Sequence, residues 1–188
     1  MVLRPEHHST AVLIDTRRWL EKAVIGLNLC PFAKAVYVKN QVHLALGWWT
    51  HAADVLEQLE SELLALQALP AAERDTTVLV LPNFMPDFLD FNDFLCPAER
   101  VLKQCKLQGE IQIAHFHPQF EFAGENPHGM SHYTNRAPYP MLHLIREASI
   151  EKALASFPDP DSIYERNIQT LEKMGPEGWA ALGVGRHV

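Results

Sequence analysis

No run of basic residues appears in this chain, and that excludes the largest class of partners first. Nucleic-acid affinity rests on clustered lysine and arginine that neutralise phosphates, and here 16 Lys and Arg stand against 23 Asp and Glu, a formal charge of −7. Long apolar runs are missing too. Stretches such as Val78 to Leu81 fall far short of the roughly 20 residues a membrane helix needs, and the opening "MVLRPEHHSTAV" has no apolar core of a signal peptide. Cysteine is scarce: Cys30, Cys96 and Cys105 are an odd number with no CxxC pair, which fits a reducing compartment better than a disulfide framework. Repeats and low-complexity segments are also absent. The expectation is a cytoplasmic protein that binds neither nucleic acid nor membrane. Its 188 residues, 47% of them hydrophobic, suit a single globular domain over 1–188 with a sizeable core.

The hydrophobic pattern then orders the chain. After a possible cap at Ser9, Val12, Thr16, Trp19, Leu20, Ala23, Val24 and Leu27 recur at helical spacing, with Asp15, Arg18, Glu21 and Lys22 mostly opposite. "AVYVKNQVHLAL" reads as two short strands about a Lys39-Asn40 turn. Thr50 caps a helix whose inward face carries Val55, Leu59, Leu63 and Leu66. "TTVLVLP" is a strand covered on both faces. Asp87 starts a Phe-rich helical turn, Pro97 suits a first helical position, and the helix stops before Gly109. "EIQIAHF" from Glu110 is a third central strand. Helices are expected from about Met141 and about Pro160, with Pro/Gly-rich breaks at Ala123 to Pro140 and at Phe157-Pro158-Asp159-Pro160. Alternation of this kind predicts an α/β fold, a small mixed or parallel sheet of three to four strands packed with an N-terminal helix and two C-terminal helices.

In such sheets ligands bind beyond the carboxyl ends of the strands. That edge collects Trp48, Trp49 and His51, then Asn83 to Asp87, then His115 to Pro118, and the polar stretch Phe116 to Glu147 leaves from it. His115 and His117 share a strand face, and on the expected helix His143 and Glu147 are four apart, with Arg146 beside them. Together they could hold zinc or a similar divalent metal; HxH and HxxxE also arise by chance among ten histidines. Arg146 could instead be a structural ion pair. Asn135 and Arg136 stand before the expected helix N-terminus, where free amides favour anions, or Arg136 is simply solvated. Asn126 would form the other wall of the cleft. Trp48 and Trp49 either stack a ligand or bury aromatic surface. Cys30 in "NLCPFAK" echoes a glutaredoxin CPFC without its second cysteine; near Lys34 it is either an activated thiol or a small buried hydrophobe.

Through "LNLCPFAK", "QIAHFHPQF" and "TNRAPYPMLHLIRE" the chain resembles, over nearly its whole length, the bacterial family known as domain of unknown function 1415. The resemblance implies a single-domain bacterial protein of about this size and brings no activity, cofactor or substrate with it. Where the family's pattern commonly has serine this chain has His115, and "NPHGMSHY" replaces partly acidic sequence. Both departures weaken a metal site built on His115. The leading reading is a small enzyme of hydrolytic or group-transfer type acting on an anionic small molecule. Arg136 and Arg146 would hold the anion, His117 or His143 would move protons, and Glu147 would orient the imidazole. A non-catalytic metabolite-binding or regulatory domain and a thiol protein centred on Cys30 are the alternatives. His117, Asn135, Arg136, His143 and Glu147 are expected to line one cleft.

Overall fold

The computed structural model describes residues 5–155, 159 and 162–187. Met1 to Arg4 and, Asp159 excepted, the Phe157-Pro158-Asp159-Pro160 break lie outside the described residues, as does the expected helix start at Pro160. Helix α1 spans Pro5–Trp19 and continues as a π-helical turn over Leu20–Ile25. It opens four residues before Ser9, on a proline, whose missing N–H costs nothing in a first turn. Val12, Trp19, Leu20 and Ala23 are buried as the spacing predicts, but so is Asp15, at 1% exposure.

The expected hairpin is corrected. Ala33–Val38 is a short helix, α2, and Asn40 turns the chain at φ 56 into strand β1, Val42–Leu46. Segments of six residues are too short for their periodicity to separate helix from strand. The Tyr37 hydroxyl also ties α2 to Glu21 Oε1 at 2.6 Å, a contact no local pattern encodes. Helix α3, Ala52–Ala68, is preceded by His51 and not capped by Thr50. Strand β2, Thr76–Val80, is buried at every residue. Helix α4, Phe88–Gln104, starts as expected at Asp87, whose Oδ1 accepts from the amides of Leu89 and Asp90 at 2.8 and 3.2 Å. Pro97 lies inside this helix and not at its start.

The largest correction concerns the segment after the polar loop. Strand β3, Ile111–Phe116, is succeeded by a strand β4 at Met141–Arg146, and helix α5 begins only at Glu147, running to Ala155. The sheet order is β1-β2-β4-β3. β1 and β2 are parallel, while β4 runs antiparallel to both β2 and β3. "MLHLIR" is apolar enough for either a buried helix or a central strand, and the lateral hydrogen bonds of two neighbours select the strand. β3 is therefore an edge strand and not a central one. Helix α6, Ser162–Ala181, is broken at Gly175, φ 69, just before Pro176.

Both sheet faces are covered. Leu79, Leu81, Leu142, Leu144 and Ile111 pack with α3 and α4, and Val78, Val80 and Met141 pack with Val12, Trp19, Leu20 and Ala23 of the α1 side, together with Tyr139 and Val184. Among the described residues no helix is long and apolar enough to cross a membrane.

Candidate functional site

Alternation along a strand now separates the expected site residues. His115 on β3 and His117 just past its end do point to one face, and that face meets the α4 phenylalanines: the His117 ring lies 5.5 Å from Phe88 and 5.2 Å from Phe91. His117 is fully buried. Its Nδ1 accepts from the amide of Gln119 at 3.0 Å, which leaves Nε2 to donate to the Met85 carbonyl at 3.1 Å. Burial lowers its pKa, against the raising influence of that carbonyl and of Asp87. With both nitrogens engaged, this imidazole splices two loops and has no lone pair left for a proton or a metal. Burial lowers the pKa of His115 as well.

His143 sits on the opposite face, where Nε2 meets Thr76 Oγ1 at 2.7 Å. The Thr76 hydroxyl itself donates to the Leu144 carbonyl at 2.6 Å, so His143 Nε2 carries the proton. Burial pulls the His143 pKa down to about 4. Glu147 is at the far end of the strands, its amide bonded to the Glu110 carbonyl at 2.9 Å. The expected single cleft is therefore corrected: with β4 a strand, His143 and Glu147 share no helix face, and the sheet itself stands between His143 and His117. The four zinc candidates His115, His117, His143 and Glu147 do not converge, and among the described residues no group of three or more His, Cys, Asp or Glu could hold a metal ion.

Arg146 has a different duty from either expected one. Its Nη2 donates to the carbonyls of Leu66, of Leu69 at 2.6 Å and of Arg74 at 3.1 Å. The guanidinium thus closes the C-terminal end of α3, where free carbonyls carry partial negative charge.

Most of the polar loop's unusual composition has a structural cause. Residues 117–136 form little regular structure, so their backbone groups need other partners. His132, fully buried, accepts from the Phe122 amide and donates to the Asn126 carbonyl at 2.7 Å. Asn126 Oδ1 accepts from the His128 amide at 3.0 Å, and Asn135 Nδ2 donates to the His115 carbonyl at 3.2 Å. Arg136 donates Nε to the Phe120 carbonyl at 3.2 Å and lies 4.3 Å over the Tyr133 ring. It lines a groove of about 400 Å³ with Asp87, Phe88, Leu89, Pro118, Gln119 and Glu121. The chain beyond Arg136 enters β4 and not a helix, so the expected amides are missing; the first amides of α4 are already taken by Asp87, and two carboxylates share the groove.

Cys30 is half-buried, and burial pushes its thiol pKa up. That opposes the activation expected from Lys34.

A second cleft, also about 400 Å³, lies beyond the carboxyl ends of the parallel pair and is lined by His8, Val12, Trp48, Pro82, Asn83, Tyr139 and Arg186. Trp48 lies just past β1 and Asn83 just past β2, so the strand-end rule reached part of this lining. Arg186 was not reached. Its guanidinium lies 4.6 Å over the Tyr139 ring, with Nε donating to the Pro138 carbonyl and Nη2 to the Pro82 carbonyl, both at 3.0 Å. Those bonds hold the group rigid and leave Nη1 and one N–H of Nη2 for another acceptor. Among the described residues lining this cleft none carries a carboxylate.

Behind Tyr139 is Asp15. Its Oδ2 accepts from the Tyr139 hydroxyl and from the His187 amide, each at 2.9 Å, and its Oδ1 meets Arg18 Nη1 at 3.0 Å and His187 Nδ1 at 2.8 Å. Burial, reinforced by the Asp15 carboxylate, drives the Tyr139 pKa well up, so the phenol stays a donor. One sequence signal could have found Asp15: positions 12, 15, 16 and 19 are one helical stripe, and a carboxylate on a buried stripe needs partners.

A family model described as "Protein of unknown function (DUF1415)" matches residues 11–181. No curated protein and no solved structure matches the chain. The matched range runs from α1 to the end of α6 and includes Asp15, Trp48, Asn83 and Tyr139, while His8, Arg186 and His187 fall outside it. With nearly the whole chain inside that range, the protein belongs to the DUF1415 family of proteins of unknown function.

Proposed function

We propose that this protein binds an anionic small molecule in the cleft beyond β1 and β2, with Arg186 as the group that holds the anion. The observation that carries this reading is the pre-set guanidinium: it is stacked on Tyr139, tied by two prolyl carbonyls, and set in a cleft whose lining carries no carboxylate among the described residues, in a chain of net charge −7. A fixed fork with unused N–H groups suits a carboxylate or phosphate, and its rigidity removes an ordering cost from binding. Asn83 adds a polar contact, while Val12, Pro82 and Trp48 suit an apolar or flat body on the same ligand.

The catalytic version, hydrolysis or group transfer on that anion, draws support from His8. Its ring stands 6.3 Å from Trp48 in the cleft lining, and imidazole can both take and give a proton. Tyr139 is unsuited to that task because its hydroxyl is committed to Asp15.

Thermal shift with inorganic phosphate, sulfate and small carboxylates tests the reading. At about 100 times its Kd a ligand adds about 2.7 kcal/mol of stability. Arg186→Gln and Asn83→Asp should each abolish most of that gain, the first by removing the cation and the second by adding a repelling charge. A response that survives both substitutions places the anion elsewhere and ends the proposal. Incubation of the bound anion with wild type and His8→Ala then separates turnover from binding alone.

A further inference from the structure

Arg186 reaches the cleft on a short strap, Val184–His187, that crosses back over α1 after Gly183, φ 63, turns the chain out of α6. Val184, 3% exposed, packs in the cluster of Val12, Trp19, Tyr139 and Met141. Beyond the two prolyl carbonyls that hold the Arg186 guanidinium and the contact of Arg18 Nη1 with the His187 ring at 2.8 Å, the polar contacts of the strap converge on one carboxylate. Asp15 accepts the His187 amide and meets the His187 ring directly, and it accepts the hydroxyl of the Tyr139 ring on which the Arg186 guanidinium lies. Asp15 therefore fixes Arg186 from two sides, through the next residue of the chain and through the surface beneath the guanidinium, without lining the cleft itself.

We propose that Asp15 is the positioning residue of this cleft: it docks the Val184–His187 strap, strap docking sets the affinity for the anion, and the bound anion in turn holds the strap down. This rests on the reading that Arg186 holds the anion. A ligand that binds only the docked form has its affinity reduced by the fraction of molecules docked. Linkage makes the effect reciprocal, so the anion must protect the docked strap by the same factor by which docking raises anion affinity.

The experiment uses the full chain, inorganic phosphate as the probe, and two readouts. Phosphate affinity is followed by isothermal titration calorimetry, and strap release by the rate of tryptic cleavage after Arg186, read by mass spectrometry. Cleavage there needs the strap to leave its seat. In wild type, phosphate should slow this cut. In Asp15→Asn, phosphate affinity should fall roughly tenfold, as expected when about a tenth of the molecules keep the strap docked, and the cut should accelerate by at least as much because the released fraction becomes the majority. Tyr139→Phe and His187→Ala keep the carboxylate and remove one link each, so they carry the same comparison if Asp15→Asn fails to fold; both should show weaker phosphate binding and a faster cut, each to a smaller extent.

Faster cutting with unchanged phosphate affinity overturns the coupling, and so does unchanged affinity in both single-link variants. If Arg186→Gln still abolishes the phosphate response in that case, the anion reading stands without the strap. A phosphate response that survives Arg186→Gln, or is missing from wild type, overturns both.

Discussion

The Tyr139 hydroxyl donates to Asp15 Oδ2 at 2.9 Å across 124 positions of sequence, joining the entrance of the central strand β4 to the middle of the first helix. Asp15 is 1% and Tyr139 2% exposed, so this bond lies where water cannot replace either partner. Tyr139→Phe keeps the ring and removes the donor. It should lower the unfolding free energy in urea by about 1–3 kcal/mol, the usual cost of leaving a buried polar group short of a partner. An unchanged urea midpoint would show that Arg18 and His187 satisfy the carboxylate by themselves.

His143 should make the protein acid-sensitive in a defined window. Its folded pKa is about 4 and an unfolded imidazole titrates near 6.5. Between these values the unfolded chain binds the extra proton, so stability is full above about pH 6.5, falls as the pH drops towards 4, and levels off below. The loss amounts to about 3 kcal/mol. Burial shifts His115 and His117 in the same direction, which steepens the slope. Urea titrations at a series of pH values should show this decline for wild type and a shallower one for His143→Gln.

Arg146→Met should destabilise strongly and leave ligand binding alone. The substitution keeps most of the stem but strips the carbonyls of Leu66, Leu69 and Arg74 of their donor. With charge-assisted bonds at a helix end removed, the expected loss is about 3 kcal/mol. A variant of wild-type stability with a diminished phosphate response would return Arg146 to the ligand site.

The thiols should separate by reactivity. Cys96 is exposed, whereas Cys30 is half-buried with its pKa raised by burial. Alkylation of the native protein with iodoacetamide near neutral pH should modify Cys96 well before Cys30, with peptide mass spectrometry as the readout. Preferential labelling of Cys30 would revive an activated thiol.

The parts of this protein legible without coordinates are those that local physics decides. The α1 stripe, the Asp87 cap, the fully buried strand at Thr76 to Val80 and the mixed α/β class come from periodicity, from side-chain oxygens that can cap amides, and from β-branched composition, all acting over a few residues. The strand-end rule likewise brought Trp48 and Asn83 to the right edge. Tertiary structure alone decided that Met141–Arg146 is a strand, because its apolar run satisfies either geometry until β2 and β3 supply hydrogen bonds on both sides. That one choice put His143 and His117 on opposite faces, carried Arg146 to the end of α3, and left Glu147 at the wrong end of the sheet. In the polar loop, His132 serves the loop's own backbone. The cleft that remains is built from α1, the ends of β1 and β2, and the strap after α6. Asp15 and His187, which hold that strap, stand 172 positions apart. No spacing rule links them, because only the folded chain brings a buried carboxylate within reach of the donors that make its burial tolerable.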